Sequence, residues 1–253
     1  MLRSRIAAAG LTVGALLAFG AAAPASAAPA SEAVTAADAE CEIVDASLTW
    51  GFKESFRAYI DGSIANGEWT TDGAVSYATP DFTWEPGAGS LDPEADTAEL
   101  RFSGGIRFTG HGGILDTTFS DPIVRVEADG SAHVVIDVTG TTRDGEQITA
   151  SGVDFLSGAA ESTVDDGQWT LVIAAPILTE DGAEAFPDYP AGAEFDAMTI
   201  TASLDETCAE ALVAAAEARE LPTRVGLIAG GATAAAALAV LVVGLVRRRG
   251  AQA

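Results

Sequence analysis

The chain is short of basic side chains, cysteine and histidine, and the shortage of basic side chains argues against two classes of partner. Its 253 residues include 13 lysines and arginines against 37 aspartates and glutamates, with two cysteines and two histidines. Five of the arginines lie at the two ends, which leaves eight basic side chains for the body of the chain. Such an acidic surface repels nucleic acid and anionic lipid headgroups, so we expect neither as a partner.

Motifs that mark common enzymes are also missing. The sequence has no Gly-x-Ser-x-Gly elbow, no phosphate-binding loop and no His-Glu-x-x-His zinc helix. Its carboxylates are so numerous that no pair stands out at a spacing typical of a glycosidase. We therefore expect a binding protein rather than a catalyst.

Both ends of the chain carry signals for export and membrane anchoring. Residues 1–27 carry Arg3 and Arg5 near their start, continue with an apolar run and end in Ala-Ser-Ala, the form of a secretory signal peptide. Residues 225–246 contain no charge and, at a rise of about 1.5 Å per residue, are long enough to cross a hydrocarbon core of about 30 Å. The basic tail 247–253 follows. We expect a single-pass protein of the cell membrane with its N-terminal body outside.

The two cysteines bracket nearly the whole exported body. Cys41 and Cys208 lie 167 positions apart, and in an oxidising compartment we expect them to form a disulfide that encloses one domain, residues 41–208. In the chain-entropy model a loop of that length stabilises the folded state by about 4–5 kcal/mol. Residues 28–40 before the domain are expected to be a flexible leader, and residues 209–224 after it a helical stalk.

Strand and turn signals dominate the body between the cysteines. Asp-Gly pairs occur six times, each between segments that favour strand, and such pairs are typical of tight hairpin turns. Alternating apolar residues, as in Val134, Ile136 and Val138, indicate strands with one face on a core. We predict a mainly β fold: an antiparallel β-sandwich-like domain with one or two short helices, plus a C-terminal transmembrane helix.

A short aromatic helix near the start of the domain carries the first candidate site residues. At 100° per residue, aromatic and polar side chains fall on one face, with two basic residues at its flank. They are Phe52, Ser55, Phe56 and Tyr59, flanked by Lys53 and Arg57. An apolar surface with one phenol at its centre suits a flat porphyrin. The same spacing also fits an ordinary half-buried tyrosine that bonds a backbone carbonyl.

Two sequence blocks resemble the HtaA-type haem-binding domain of actinobacterial haem uptake. The first is Leu-Thr-Trp-Gly-Phe-Lys-Glu-Ser-Phe-Arg-Ala-Tyr-Ile, residues 48–60. The second is Phe-Ser-Gly-Gly-Ile-Arg-Phe-Thr-Gly-His-Gly-Gly-Ile-Leu-Asp, residues 102–116. The resemblance extends over residues 46–204. It implies a β-rich domain that takes ferric haem b at the cell surface and passes it to a membrane importer.

The resemblance also implies roles for individual residues. In the family the tyrosine of the first block binds the iron, which corresponds here to Tyr59. The histidine of the second block supports that tyrosine, which corresponds to His111. A later tyrosine of the family matches Tyr189, in the segment Phe-Pro-Asp-Tyr-Pro-Ala-Gly. From the residues alone, His111 could instead be a second axial ligand or face water in its glycine turn.

The chemistry of haem suggests further contacts. A phenolate is a hard anionic oxygen donor that favours ferric over ferrous iron, so we expect the bound haem to be oxidised. A propionate needs hydrogen bonds and positive charge, and the porphyrin faces need apolar side chains. The candidates are Ser55, Lys53 and Arg57 for a propionate, Phe52 and Phe56 for one face, and Ile114 or Leu115 for the other. Each of them also fits a solvated helix or a simple core.

Two functions follow from these patterns. The leading one is a cell-surface haem-binding protein whose partners are haem, surface haem-binding proteins or haemoproteins that donate it, and a membrane importer. The alternative is a membrane-anchored structural or adhesive β-sandwich in which Tyr59 and His111 only pack. Binding of haem separates the two.

Overall fold

The structure is a computed structural model that describes residues 40–142 and 144–219. The predicted signal peptide, membrane span and basic tail lie outside these residues, as do the leader before residue 40 and the stalk beyond residue 219. Within the described part, no helix is long and apolar enough to span a membrane.

Most of the described residues form strands, joined by a few short helices. The strands are β1 (Cys41–Trp50), β2 (Glu68–Gly73), β3 (Val75–Ala78), β4 (Asp81–Asp92), β5 (Thr97–Arg101), β6 (Gly104–Gly110), β7 (Leu115–Val126), β8 (Ser131–Thr141), β9 (Gln147–Asp165), β10 (Gln168–Ile173), β11 (Ile177–Leu178) and β12 (Met198–Ser203). The helices are α1 (Glu54–Asp61), α2 (Glu180–Ala185) and α3 (206–219), with a 3-10 turn at His111–Gly113. The predicted mainly β composition is confirmed.

The strands pair antiparallel and belong to one sheet. Eight of them follow one another in the order β1-β4-β5-β7-β8-β9-β10-β12, and β12 pairs back to β1, which makes the sheet barrel-like. The other strands extend this ring: β6 and β2 continue from β7, β3 pairs with β4, and β11 pairs with β9. One closed sheet therefore stands where the sequence predicted a sandwich.

Closure depends on β8, which pairs with β7 on one side and with β9 on the other. Register shifts interrupt the first pairing between Ser120 and Ile123, and the second at two points between Val134 and Val138. Such bulges bend a strand, and bending allows an antiparallel sheet to close on itself instead of splitting into two layers. Apolar alternation predicts strands but carries no signal for these bulges.

Three of the six Asp-Gly pairs form hairpin turns, as predicted. Their glycines have φ between 76° and 82°, the left-handed region that glycine adopts without strain. These pairs are Asp129-Gly130, Asp144-Gly145 and Asp166-Gly167. The prediction is wrong for the other three. Asp72-Gly73 ends β2, which pairs with β6 and not with β3, Asp61-Gly62 ends α1, and Asp181-Gly182 lies within α2.

The predicted disulfide is present and ties the start of β1 to α3. Cys41 and Cys208 are bonded, with Cα atoms 5.8 Å apart. Beyond it, α3 packs on the domain: Leu212 is buried in the core, and Arg219 donates to the carbonyl of Pro93 at 2.7 Å. The described part of the predicted stalk is therefore attached to the domain.

The disulfide and α1 lie at opposite ends of β1. The ten residues of this strand span about 30 Å, so α1 belongs to the end of the sheet remote from α3. A buried aromatic cluster fills that end, with the ring of Phe52 at its centre. Its centroid lies 4.7–6.3 Å from those of Phe56, Phe108, Phe119, Phe155, Phe186 and Phe195. This cluster is the base on which the candidate site is built.

Candidate functional site

The start of α1 is fixed by a residue far along the chain. Lys53, at the N-cap, makes no capping hydrogen bond with its side chain. Instead the carboxylate of Asp196 accepts from the backbone N–H of Glu54 at 3.0 Å. Gly51 permits this approach, because a Cβ there would lie 2.5 Å from Asp196 Oδ2. The direction of α1 is therefore set by a contact across 142 positions.

Arg57 is bound to the same carboxylate. Its Nη2 lies 3.1 Å from Asp196 Oδ2, and only 10% of the arginine side chain is exposed. The backbone of Asp196 adds two bonds: its N–H donates to the carbonyl of Phe52, and its carbonyl accepts from Trp50 Nε1, both at 3.1 Å. The sequence predicted Arg57 as a propionate contact. The structure places it below the surface, where Asp196 already neutralises its charge.

The last turn of α1 brings Tyr59 to His111. The phenol oxygen of Tyr59 and Nε2 of His111 share a hydrogen bond, although the residues are 52 positions apart. Both side chains are partly exposed. The contact joins the two residues that the sequence singled out, and His111 does not simply face water in its glycine turn.

Backbone contacts hold His111 in place. Its N–H donates to the carbonyl of Ala65, in the loop after α1, at 2.7 Å. The residue itself has φ 52°, and Gly112 and Gly113 follow with φ 67° and 93°. A Cβ on either glycine would meet no atom within 4 Å, so the turn is open at both glycines. The glycines allow the left-handed backbone that turns His111 towards Tyr59.

Tyr189 lies beside the first turn of α1. Its hydroxyl shares a hydrogen bond with Ser55 Oγ at 3.4 Å, and its ring packs on Phe56 and Phe186. Burial raises the pKa of Tyr189 above its ordinary value; the bond with Ser55 lowers it in part, and negative charge at Asp188 raises it further. Tyr189 therefore stays a neutral hydroxyl at neutral pH.

Lys53 occupies the same side of the site as Tyr189. Its Nζ donates to the carbonyl of Glu194 at 2.5 Å and lies 4.7 Å and 5.1 Å from the ring centroids of Tyr189 and Phe195. Every described arginine pairs with a carboxylate, but Lys53 forms no ion pair with a described residue. Among the basic residues that the structure describes, Lys53 is therefore the one available to pair with an anionic group of a ligand.

The predicted apolar lining divides into surface and core residues. Phe52 and Phe56 are at most 1% exposed, so they lie beneath Tyr59 and Tyr189 and do not line the surface of the candidate site. Leu115 is also buried. Ile114 is exposed, and of the predicted apolar contacts it is therefore the one at the surface.

Comparison with known proteins identifies the family. The family model HtaA (Htaa) matches residues 45–201, which include all the candidate site residues. The chain belongs to the HtaA family. The resemblance of the two sequence blocks is confirmed. No curated protein matches the chain.

Solved HtaA domains share the fold. The C-terminal domain of HtaA from Corynebacterium glutamicum is 31% identical, with a TM-score of 0.60, and the match covers 65% of this chain and 99% of that domain. The N-terminal domain of the same protein is 29% identical, with a TM-score of 0.56 and the same coverage of both chains. The haem-binding protein HtaB of that organism is 21% identical, with a TM-score of 0.50, covering 65% of this chain and 96% of HtaB; it shows a common fold.

Proposed function

We propose that this HtaA-family chain binds ferric haem through the phenol oxygen of Tyr59, with His111 as its hydrogen-bond partner. The observation that carries the proposal is the contact between Tyr59 Oη and His111 Nε2 at a partly exposed surface. The family supports the choice of ligand, since its structural relative HtaB is described as a haem-binding protein.

The donor set fits haem iron. A bound haem would need a ligand to its iron from the protein, and the phenol of Tyr59 would be that ligand, since tyrosine is one of the known choices. A phenol must lose its proton to bind iron as a phenolate. Nε2 of His111 is in place to accept that proton and to donate it back as a hydrogen bond to the phenolate oxygen.

The side of the site with Lys53 suits the haem propionates. Lys53 carries a charge that no described carboxylate neutralises, and Ser55 lies one helical turn before Tyr59 with an exposed hydroxyl. We assign these two residues to a propionate. Tyr189 can add a hydroxyl donor there, because a tyrosine is protonated at neutral pH and burial raises the pKa of this one further.

An absorbance titration of the full chain with hemin tests the proposal. We expect wild type to bind one hemin per chain with a sharp visible band, and Tyr59→Ala to lose or strongly shift that band. Tyr77→Phe is a matched control, because Tyr77 packs on Trp69 and Phe82 in another part of the sheet. A flat titration of wild type would contradict haem binding and leave the structural or adhesive alternative.

We also propose a place and a route for the bound haem. We propose a membrane-anchored carrier rather than an enzyme, and the export signal in residues 1–27 and the uncharged span in 225–246 support its anchoring. It would receive haem from surface haem-binding proteins or haemoproteins and pass it to a membrane importer. Protease treatment of intact cells tests the location: the domain should be cut from outside, and full protection of it would contradict the proposal.

A further inference from the structure

Two isoleucines stand exposed on the segments that meet at His111. Ile64, in the loop after α1, is 76% exposed, and Ile114, directly after the His111 turn, is 55% exposed. Ile64 directly precedes Ala65, whose carbonyl accepts the His111 N–H. Single exposed apolar residues are common on protein surfaces. Ile64 and Ile114 lie on two segments that are hydrogen-bonded to each other beside the candidate site, and we call this pair the apolar edge of the site.

The backbone presents these side chains in fixed positions. The bond from His111 N–H to the Ala65 carbonyl, at 2.7 Å, joins the two segments. The carbonyl of Ile114 accepts from Thr141 Oγ1 on β8, also at 2.7 Å. The apolar edge is thus part of the folded domain, since both of its segments are tied to the domain by hydrogen bonds.

The candidate haem contacts differ in character between the two ends of α1, although exposed carboxylates, Glu54 and Asp61, stand at both ends. Lys53 and Ser55 lie at its N-terminal end, Tyr59 lies in its last turn, and Ile64 follows in the loop after its C-terminal end. Tyr189 reinforces the polar end through its contact with Ser55. The site therefore has a cationic, hydrogen-bonding side and an apolar side, with the Tyr59 phenol between them.

Haem has the same division, because both of its propionates lie on one edge and its opposite edge is apolar. We propose that Ile64 and Ile114 hold the apolar edge of the porphyrin, so that haem binds in one orientation with its propionates at Lys53 and Ser55. This inference rests on the proposed function, and it assigns to the isoleucines the retention of haem rather than the ligation of iron.

Release of hemin measures this retention. Burial of one isoleucine side chain should slow release by about tenfold, and of both by about 100-fold. We therefore expect Ile64→Asn and Ile114→Asn each to release hemin to excess apomyoglobin about tenfold faster. The visible spectrum of bound hemin should stay as in wild type, because the ligand Tyr59 is unchanged.

Control variants separate retention from folding. Val44→Asn removes a side chain that is 70% exposed on β1, six residues before Trp50 and so about 20 Å along the strand from α1. It should release hemin at the wild-type rate. Ile64→Leu and Ile114→Leu keep the apolar area and should do the same. The thermal midpoint of each apo variant should match wild type, because the changed side chains are exposed.

Hemin dimethyl ester, which lacks the propionate charges, tests the orientation. Ile64→Asn and Ile114→Asn should accelerate release of hemin and of the ester by the same factor. Lys53→Gln should weaken the binding of hemin but not the binding of the ester. If the isoleucine variants release hemin faster but release the ester at the wild-type rate, these residues lie at the propionate edge, and the proposed orientation is wrong.

Failure of the inference differs from failure of the proposed function. If wild type binds hemin and both asparagine variants release it at the wild-type rate, the isoleucines do not hold the porphyrin. Equal acceleration by Val44→Asn would also overturn the inference. If wild type binds no hemin at all, the proposed function itself is wrong.

Discussion

Arg57 and Asp196 form an ion pair across 139 positions, with Nη2 of the arginine 3.1 Å from Oδ2 of the aspartate. The same carboxylate accepts from the N–H of Glu54. One side chain thereby fixes both the start of α1 and the buried cation on its inner face. The pair connects the helix that carries Tyr59 to the segment that carries Tyr189.

Removal of Asp196 should destabilise the domain. Asp196→Ala leaves the Arg57 guanidinium without its carboxylate below the surface, which costs about 3 kcal/mol. Urea unfolding of the apo chain measures this loss. Glu99→Ala is the matched control, because Glu99 pairs with Arg101 and Arg125 at the exposed surface and should cost less than about 1 kcal/mol. Equal losses in the two variants would contradict the structural role of Asp196.

The positions of Arg57 and Phe52 could not be predicted from a helical wheel. The helical wheel drawn from the sequence places Phe52 on the same face as Tyr59. In the structure α1 begins at Glu54, and Phe52, with φ 64°, lies before the helix. Its ring therefore turns into the core. Arg57 is in the helix, but the carboxylate that neutralises it comes from a segment that no local pattern connects to it.

The contact between Tyr59 and His111 was predictable only through the family resemblance. Helical spacing alone also allowed an ordinary half-buried tyrosine, and a glycine-flanked histidine alone could face water. The disulfide was predictable from the cysteine count, and the three hairpin turns that join β7 to β8, β8 to β9 and β9 to β10 were predictable from Asp-Gly. Closure of the sheet was not, because it depends on bulges between strands distant in sequence. The exposed Ile64 was missed, since it lies outside the two sequence blocks that resemble the family, residues 48–60 and 102–116.

His111→Ala should weaken haem binding without removing the iron ligand. Loss of a hydrogen-bond partner to a ligating side chain lowers affinity by about 10- to 100-fold. A hemin titration of the variant should show that loss together with a shifted visible band. His133→Ala is the control. His133, on β8, binds the carboxylate of Asp154, on β9, so this substitution should leave haem binding unchanged. Wild-type affinity in His111→Ala would contradict a supporting role.

Ionisation of the Tyr189 phenol should lower the free energy of unfolding at alkaline pH. Burial raises its pKa in the folded chain, so the folded state holds the phenol proton more tightly than the unfolded state. That contribution is fully present below the unfolded value of about 10 and is lost as the pH rises through the raised folded value. Tyr189→Phe should therefore lose less unfolding free energy than wild type above about pH 10. Urea unfolding measured up to about pH 11 tests this, and an equal decline in both proteins would contradict it.

Reduction of the disulfide should destabilise the apo domain. Cys41 and Cys208 close a loop with a separation of 167 residues, and opening it costs about 4–5 kcal/mol in the chain-entropy model. The urea midpoint with and without reductant measures the change. Cys41→Ser with Cys208→Ser should match the reduced wild type and be insensitive to reductant. An unchanged midpoint on reduction would contradict a stabilising role.

Resonance Raman spectroscopy of the hemin complex tests the central claim most directly, because excitation in a phenolate-to-iron band enhances the modes of the ligating ring. We predict phenolate modes in wild type and in Tyr189→Phe, and their loss in Tyr59→Phe. Phenolate modes that persist in Tyr59→Phe, or that are absent from wild type with hemin bound, would contradict ligation of the iron by Tyr59.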